Sequence, residues 1–251
     1  MRRMAMTAVF ILGAAVCGHA HGAKEYIAID NYNAVEKGEA SFYIQFDYMV
    51  RDKNDPAMDR WEITPGFSYA LADNLDFDVH THFAKFGNEH IAEEEKSKYA
   101  PLGPSPFMEA AAFKLQYNLA QTRAADIALA LGYEMPFGRA KDLLDAADVL
   151  EGTLILGKYF GVHSNITLNI TGAREDGETE FEWAAGFSTP LSRDPHGIAG
   201  GIEVFNNFDM DDWSVLLGIC MPVGSENTVF KTGMRFGDDS IRVTTALMYG
   251  F

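Results

Sequence analysis

Apolar and polar residues alternate along most of this 251-residue chain, from residue 38 to its last residue. A period of two places successive side chains on opposite faces of an extended strand. The clearest example runs from 61 to 71, reverses at Ala72-Asp73-Asn74 and continues from 75 to 83. About twelve such segments follow one another, each with roughly the 9 to 11 residues that a tilted strand needs to cross a bilayer.

One face of these segments is apolar, and aromatic residues concentrate near their ends. Such a face suits lipid, and rings near strand ends suit the membrane interfaces. The pattern therefore predicts an all-β fold, an antiparallel up-and-down transmembrane β-barrel of about 12 strands formed by residues 38–251. The alternative is a secreted β-sandwich or lipocalin-like barrel, because soluble sheets also alternate. For the irregular segment at 150–160 the pattern leaves the outward face undecided.

The start of the chain indicates export. Arg2 and Arg3 precede an apolar run from 8 to 16 that is too short to span a bilayer, and small residues at 18–20 offer a cleavage site. We therefore expect residues 1–20 to be a signal peptide. Residues 21–37 are then expected to form a periplasmic N-terminal segment.

The end of the chain points to the same destination. The last strand alternates up to Tyr249 and stops on Phe251, which resembles the closing strand of bacterial outer-membrane barrels. The resemblance implies that these two residues form the signal read by the barrel assembly machinery. We expect a monomeric protein in the outer membrane of a Gram-negative bacterium, with lipid around its wall.

Charge and cysteine content narrow the function. Removing residues 1–20 leaves 18 basic against 36 acidic residues, a net charge of −18. That balance argues against nucleic acid as a partner. Cys220 is then the only cysteine, so no disulfide can form within the mature chain, and stability has to come from closure of the barrel.

An outward apolar face directs the polar residues of each strand into the lumen. Bases concentrate on the last two strands and acids on the second, third and eighth, an arrangement that would impose a transverse field on a passing solute. The alternative is a static lumen filled by ion pairs. His80 and His82 have a spacing compatible with metal binding, but histidines in a polar lumen are more often hydrogen-bonded wall residues, so no metal or other cofactor is predicted. The predicted lumen and selectivity residues are Asp76, Asp78, His80, His82, Lys114, Glu134, Glu180, Glu182, Arg235 and Arg242; Asp47, Glu62, Glu203 and Lys231 share their face.

Several strand and turn motifs are distinctive. They are WEITPGFSYAL at 61–71, ADN running into LDF at 72–77, ALGYEMPFG at 130–138, LGKYF at 156–160, Leu168-Asn169 and the closing Tyr249-Gly250-Phe251. With these motifs the chain resembles the outer-membrane proteins of the MetA-pathway of phenol degradation family, which are often described as transporters. The resemblance implies a channel-like barrel for the uptake of small, often aromatic or apolar molecules, with no catalytic residues. The acidic lumen fits an apolar path poorly.

The sequence therefore predicts a non-enzymatic channel for passive passage of small molecules, aromatic or apolar compounds among them. Two alternatives stay open. One is a structural or adhesive barrel with a closed lumen. The other is an outer-membrane lipid hydrolase, suggested by His163-Ser164-Asn165, although neighbouring strand residues point to opposite faces.

Overall fold

A computed structural model describes residues 26–28, 30, 36–50, 59–86, 107–137, 146–160, 164–192, 197–208, 213–237 and 240–251. The predicted signal peptide, residues 1–20, lies outside the described residues. Twelve strands are present in the described chain, and they match the alternating segments of the sequence. They are β1 (Ala40–Val50), β2 (Arg60–Ala72), β3 (Leu75–Phe86), β4 (Phe107–Gln121), β5 (Asp126–Pro136), β6 (Val149–Phe160), β7 (Ser164–Glu175), β8 (Glu178–Pro190), β9 (Ala199–Asn207), β10 (Trp213–Val223), β11 (Ser225–Phe236) and β12 (Ile241–Gly250).

The strands form one closed antiparallel barrel. Each pairs with its neighbours along the chain, and β1 pairs with β12 to close the ring. At the seam, the N–H groups of Ala40 and Phe251 donate to each other's carbonyl oxygens at 3.0 and 2.8 Å. Closure leaves no open sheet edge, so every strand has two hydrogen-bonded neighbours. The predicted up-and-down barrel is confirmed, and a β-sandwich is excluded.

The wall has the opposite polarity to that of a soluble protein. Large apolar side chains are exposed on the outside, such as Leu131 at 64% and Ile166 at 53%, whereas the inward-facing Asp47 and Glu203 are each 1% exposed. A lipocalin-like barrel would enclose apolar residues instead. The outer surface suits a hydrocarbon environment, because it presents apolar side chains while the charged groups lie inside the barrel.

Strand β6 settles the face that the sequence left undecided. Ile155 is fully buried inside, in contact with Ala128 and Ala130 of β5, while Leu150 is 56% exposed outside. Its inward positions therefore include Glu151 and Thr153. The apparent irregularity arises because an isoleucine fills the lumen face next to two alanines.

A β-bulge in the β3/β4 pairing changes which residues face inward. The register shifts between His82 and Phe83, whose partners are Ala110 and Met108. The skipped residue, Glu109, forms an ion pair with Arg60 inside the barrel. Strict alternation from Phe113 would have placed Glu109 outside, so the bulge brings an acid into the lumen that the period-two pattern misses.

Connections at the two ends of the barrel differ in length. The longest three, 51–59, 87–106 and 137–148, lie at the end opposite to both chain termini. The connections at the other end are 73–74, 122–125, 161–163, 191–198 and 224, and all but 191–198 are four residues or shorter. This asymmetry agrees with an orientation in which both termini are periplasmic. In the described part of the chain, no helix is long and apolar enough to cross a membrane.

Candidate pore lumen

The ten predicted lumen residues all lie on inward-facing positions of their strands. The barrel does not bring them into one cluster. Three of the four on β3, namely Asp78, His80 and His82, enter hydrogen-bonded groups with β1 and β2. The arginines of β11 and β12 bind the nearby wall, and the acids of β5 and β8 stay exposed to the lumen. Their part in selectivity is still a prediction.

His82 joins a charged network on one side of the lumen. Its Nδ1 lies 2.7 Å from Glu62 Oε1, and its Nε2 lies 3.9 Å from Glu134 Oε2. The Arg60 guanidinium pairs with Glu62 at 2.9 Å and also with Glu109. Alternating signs on adjacent groups let the barrel hold these charges at low exposure, because each is paired.

Asp78 is the centre of a second group. Its carboxylate accepts hydrogen bonds from Tyr43 Oη at 3.0 Å and Ser68 Oγ at 2.5 Å, and lies 2.7 Å from His80 Nδ1. The Tyr43 ring lies across Gly66 of β2, where a Cβ would overlap it. A glycine is thus needed for the tyrosine to reach Asp78. Among the described residues no group of three or more His, Cys, Asp or Glu side chains is arranged to hold a metal ion.

The bases of β11 and β12 bind the wall next to them. Arg242 Nε donates to Asp47 Oδ1 at 2.8 Å, and Thr244 Oγ1 donates to the same oxygen. Arg235 Nε donates to Ser214 Oγ at 2.7 Å, and its guanidinium carbon lies 4.1 Å from the ring centroid of Phe205. Buried Asp47 is therefore neutralised locally, so it contributes little to the potential in the lumen.

Part of the N-terminal segment lies inside the barrel. These residues, Tyr26–Ala28 and Asp30, are here named the lumen segment, whereas the N–H group of Lys37 donates to Asp73 Oδ1 at 2.9 Å in the turn between β2 and β3. The periplasmic placement of residues 21–37 as a whole stays a prediction. The N–H groups of Ile27 and Ala28 donate to the two carboxylate oxygens of Glu203 at 2.7 and 3.0 Å. Asp30 pairs with Lys114 of β4. The segment is drawn inside because a buried carboxylate in the wall requires donors.

The lumen segment spans the pore near mid-height. Glu203 lies near the middle of β9 and Lys114 near the middle of β4, five strands away around a ring of twelve. At the β7 and β8 side, Tyr26 Oη donates to Asn165 Oδ1 at 2.7 Å and lies 3.2 Å from the Gly186 carbonyl oxygen. The segment therefore narrows the lumen by bridging two distant walls.

A cavity of about 360 Å³ remains beside the lumen segment. The segment forms one side of it, and the strands from β1 to β4 and from β11 to β12 form the rest. Both signs of charge line this space, with Asp76 and Asp78 on one strand and Lys231 and Arg242 on two others. Asp76 Oδ1 is buried and accepts no hydrogen bond from the described residues.

A third set of acids faces the lumen from β5, β6 and β8. Glu134, Glu151, Glu180 and Glu182 are exposed or nearly so. Glu151 and Glu180 lie in one row, because both face Ala173 of the intervening β7. We name these four residues the acidic arc. Within the described chain none of them pairs with a lysine or arginine, in contrast to the acids of β1 and β2.

Sequence reasoning missed several charged residues of this lumen, Glu109 and Glu151 among them. Glu109 is hidden by the bulge, which no local sequence signal marks. Glu151 alternates with Leu150 and Gly152, so a firm assignment of the β6 faces would have found it. His163, part of the suggested hydrolase motif, lies outside the described residues.

No protein-family model and no curated protein sequence matches the chain. Solved structures with the same fold include an outer-membrane channel from Pseudomonas putida F1, at 8% identity and a TM-score of 0.63, covering 90% of this chain and 100% of that one. The KdgM porin matches at 8% identity and a TM-score of 0.59, covering 83% and 99%. The NanC porin matches at 5% identity and 0.55, covering 83% and 98%. At such identities the likeness concerns the barrel fold.

Proposed function

We propose that this protein is a channel of the Gram-negative outer membrane that lets small solutes cross passively, with a preference for cations. The observation that carries the proposal is the acidic arc, a set of largely exposed carboxylates inside a closed wall whose outside is apolar. A charged interior has to be hydrated or paired. Since no described lysine or arginine pairs with the arc, and His82 reaches only Glu134, water and mobile cations are the groups that can balance most of its charge.

The electrostatic asymmetry of the lumen supports the cation preference. Asp47 and Glu62 are each held by an arginine, whereas the acidic arc faces open space. Fixed charges of one sign raise the local concentration of counter-ions and set the selectivity of a pore. The fold is also that of known porins, which supports a channel over an enzyme.

The solute class follows from the same lining. One KdgM structure is described as a complex with oligogalacturonate, a polyanion, and an acidic arc would repel such a solute here. The sequence resemblance to the MetA-pathway of phenol degradation family suggests aromatic or apolar solutes, yet the described cavity is lined by charged groups. We therefore favour small cationic or neutral polar molecules.

The proposal is tested by reconstituting the protein in planar bilayers. We expect a single-channel current whose reversal potential in a salt gradient lies toward the equilibrium potential of the cation. Replacing Glu151 and Glu182 with glutamine should move that potential toward anions. A conducting pore that prefers anions would contradict the assigned role of the acidic arc.

A closed structural barrel is the second candidate, and the lumen segment favours it. A bridge between β9 and β4 at mid-height reduces the open cross-section. The two candidates differ in one measurement, since a closed barrel carries no current under any voltage. If a variant in which the lumen segment is displaced also carries no current, the structural role is the better explanation.

A further inference from the structure

The wall holds residues 26–28 mainly through main-chain groups. Two consecutive N–H groups, of Ile27 and Ala28, donate to the carboxylate of Glu203 at 2.7 and 3.0 Å. The carbonyl oxygen of Tyr26 accepts a hydrogen bond from Lys231 Nζ at 2.8 Å. Every residue except proline carries these groups, so these three contacts recognise the peptide backbone itself.

The same wall has a recess for an aliphatic side chain. Gly201, Gly218 and Gly233 face one another across β9, β10 and β11, and we name them the glycine row. A Cβ at Gly218 or Gly233 would overlap Cδ1 of Ile27. Three adjacent inward positions without side chains thus leave room for the side chain that follows the bound carbonyl group.

The backbone bends at this site, and the bend determines what can bind. In a strand, successive N–H groups point to opposite sides. The chain is bent at Ile27 and Ala28, so both N–H groups reach one carboxylate. Paired donors on a carboxylate form stronger hydrogen bonds than neutral pairs do. Glu203 is 1% exposed with the segment in place, so its carboxylate becomes accessible to other donors when the segment leaves.

We propose that Glu203, Lys231 and the glycine row form a binding site for short peptides in transit, and that residues 26–28 occupy it as an internal pseudo-ligand. The inference rests on the channel function proposed above. The ligands are neutral or basic tripeptides whose second side chain is aliphatic, because the two donors are the N–H groups of the second and third residues. The cavity of about 360 Å³ beside the segment provides space for the remainder of such a peptide.

The test uses the full mature chain with Ile27→Ala, a change that empties the recess and leaves the barrel wall intact. Binding of N-acetyl-Tyr-Ile-Ala-amide to the detergent-solubilised protein is measured by calorimetry. We expect saturable binding that weakens at least tenfold when the peptide is N-methylated at Ile and Ala, because methylation replaces the two N–H donors by methyl groups. Adding Glu203→Gln should cause a similar loss, whereas the control Glu182→Gln should not.

A second variant guards against a failure of Ile27→Ala to fold. Ala28→Pro removes one donor from the segment and also leaves the wall unchanged. Saturable binding in either folded variant, lost on N-methylation, supports the site. Absence of binding in both, or equal binding of the methylated peptide, overturns it.

Bilayer current through the same variants separates this inference from the channel function. Current that the peptide interrupts in a concentration-dependent manner supports both. Current that continues unchanged, together with no calorimetric binding, overturns the peptide site and leaves the channel. Peptide binding without current at any voltage overturns the channel and, with it, the transit role of the site.

Discussion

An arginine at the centre of the outer wall tests whether that wall faces lipid. Leu131 is the middle residue of β5 (Asp126–Pro136) and is 64% exposed on the outward face. Arginine at the midplane of a barrel costs about 2 to 4 kcal/mol. At about 1.4 kcal/mol per factor of ten, Leu131→Arg should lower the folding equilibrium constant in lipid by about 30- to 700-fold.

The structure provides a matched control for this change. Glu151 pairs with Gly132, the neighbour of Leu131 on β5, and so lies at nearly the same height on the lumen face. Because its side chain is exposed to the lumen, Glu151→Arg should change the free energy of unfolding by no more than about 0.5 kcal/mol. The same new residue is thus compared on two faces of the wall.

The assay is denaturant-dependent folding into lipid vesicles, with the folded fraction read from the heat-dependent shift of the band on a gel. Extrapolation of the unfolding free energy to zero denaturant gives the difference between variants. Equal losses for Leu131→Arg and Glu151→Arg would refute the assignment of the apolar face to lipid. So would a loss below about 1 kcal/mol for Leu131→Arg, since that is outside the range for the midplane.

Three further predictions concern the pore and its assembly. Gly233→Ala should raise single-channel conductance although it adds a methyl group to the lumen, because the new Cβ overlaps Ile27 and displaces the segment. The double change Glu151→Gln and Glu182→Gln should shift the reversal potential in a salt gradient toward anions. Deleting Phe251 should lower the amount of protein in the outer membrane, measured by fractionation, because Phe251 makes the last hydrogen bonds of the closing seam with Ala40.

Each of these has a result that contradicts it. A lower conductance for Gly233→Ala would mean that the added methyl group narrows the pore and the segment stays in place. An unchanged reversal potential in the glutamine double variant would mean that bases outside the described residues neutralise the acidic arc. Normal insertion and the usual gel shift after deletion of Phe251 would remove the assembly role assigned to the terminal strand.

The barrel could be predicted from sequence because one short-range signal repeats along the whole chain. An alternation of period two fixes the faces of each strand, and turn residues fix where it ends. Pairing of neighbours then follows from short connections such as Asp73-Asn74. The inward direction of Asp78, Glu182 and Arg242 needed nothing further, since an apolar outer face determines it.

The lumen segment could not be predicted in this way. Residues 21–37 have no periodic pattern, and their contacts are distant in sequence, with Ile27 and Glu203 separated by 176 positions. Alternation with Ile202 and Val204 shows that Glu203 points inward, but it does not identify the N–H groups that donate hydrogen bonds to its carboxylate. The inward direction of Glu109 could not be predicted for a different reason. A bulge changes the phase of the alternation within its strand.

The two halves of the lumen differ in what their charges can do. On the side of β1 and β2 the acids Asp47 and Glu62 are bound by arginines. The opposite charges of each pair cancel at short range, so these groups mainly hold neighbouring strands of the wall together. The acidic arc pairs with no described lysine or arginine, and Glu151 and Glu180 lie two strands apart, about 10 Å at the usual strand spacing. A monovalent cation midway between them, about 5 Å from each, would be attracted by about 0.8 kcal/mol per carboxylate in water. The two terms together enrich cations by about 15-fold, and because the Debye length at 0.15 M is only about 8 Å, the preference arises from the arc itself and weakens as salt increases.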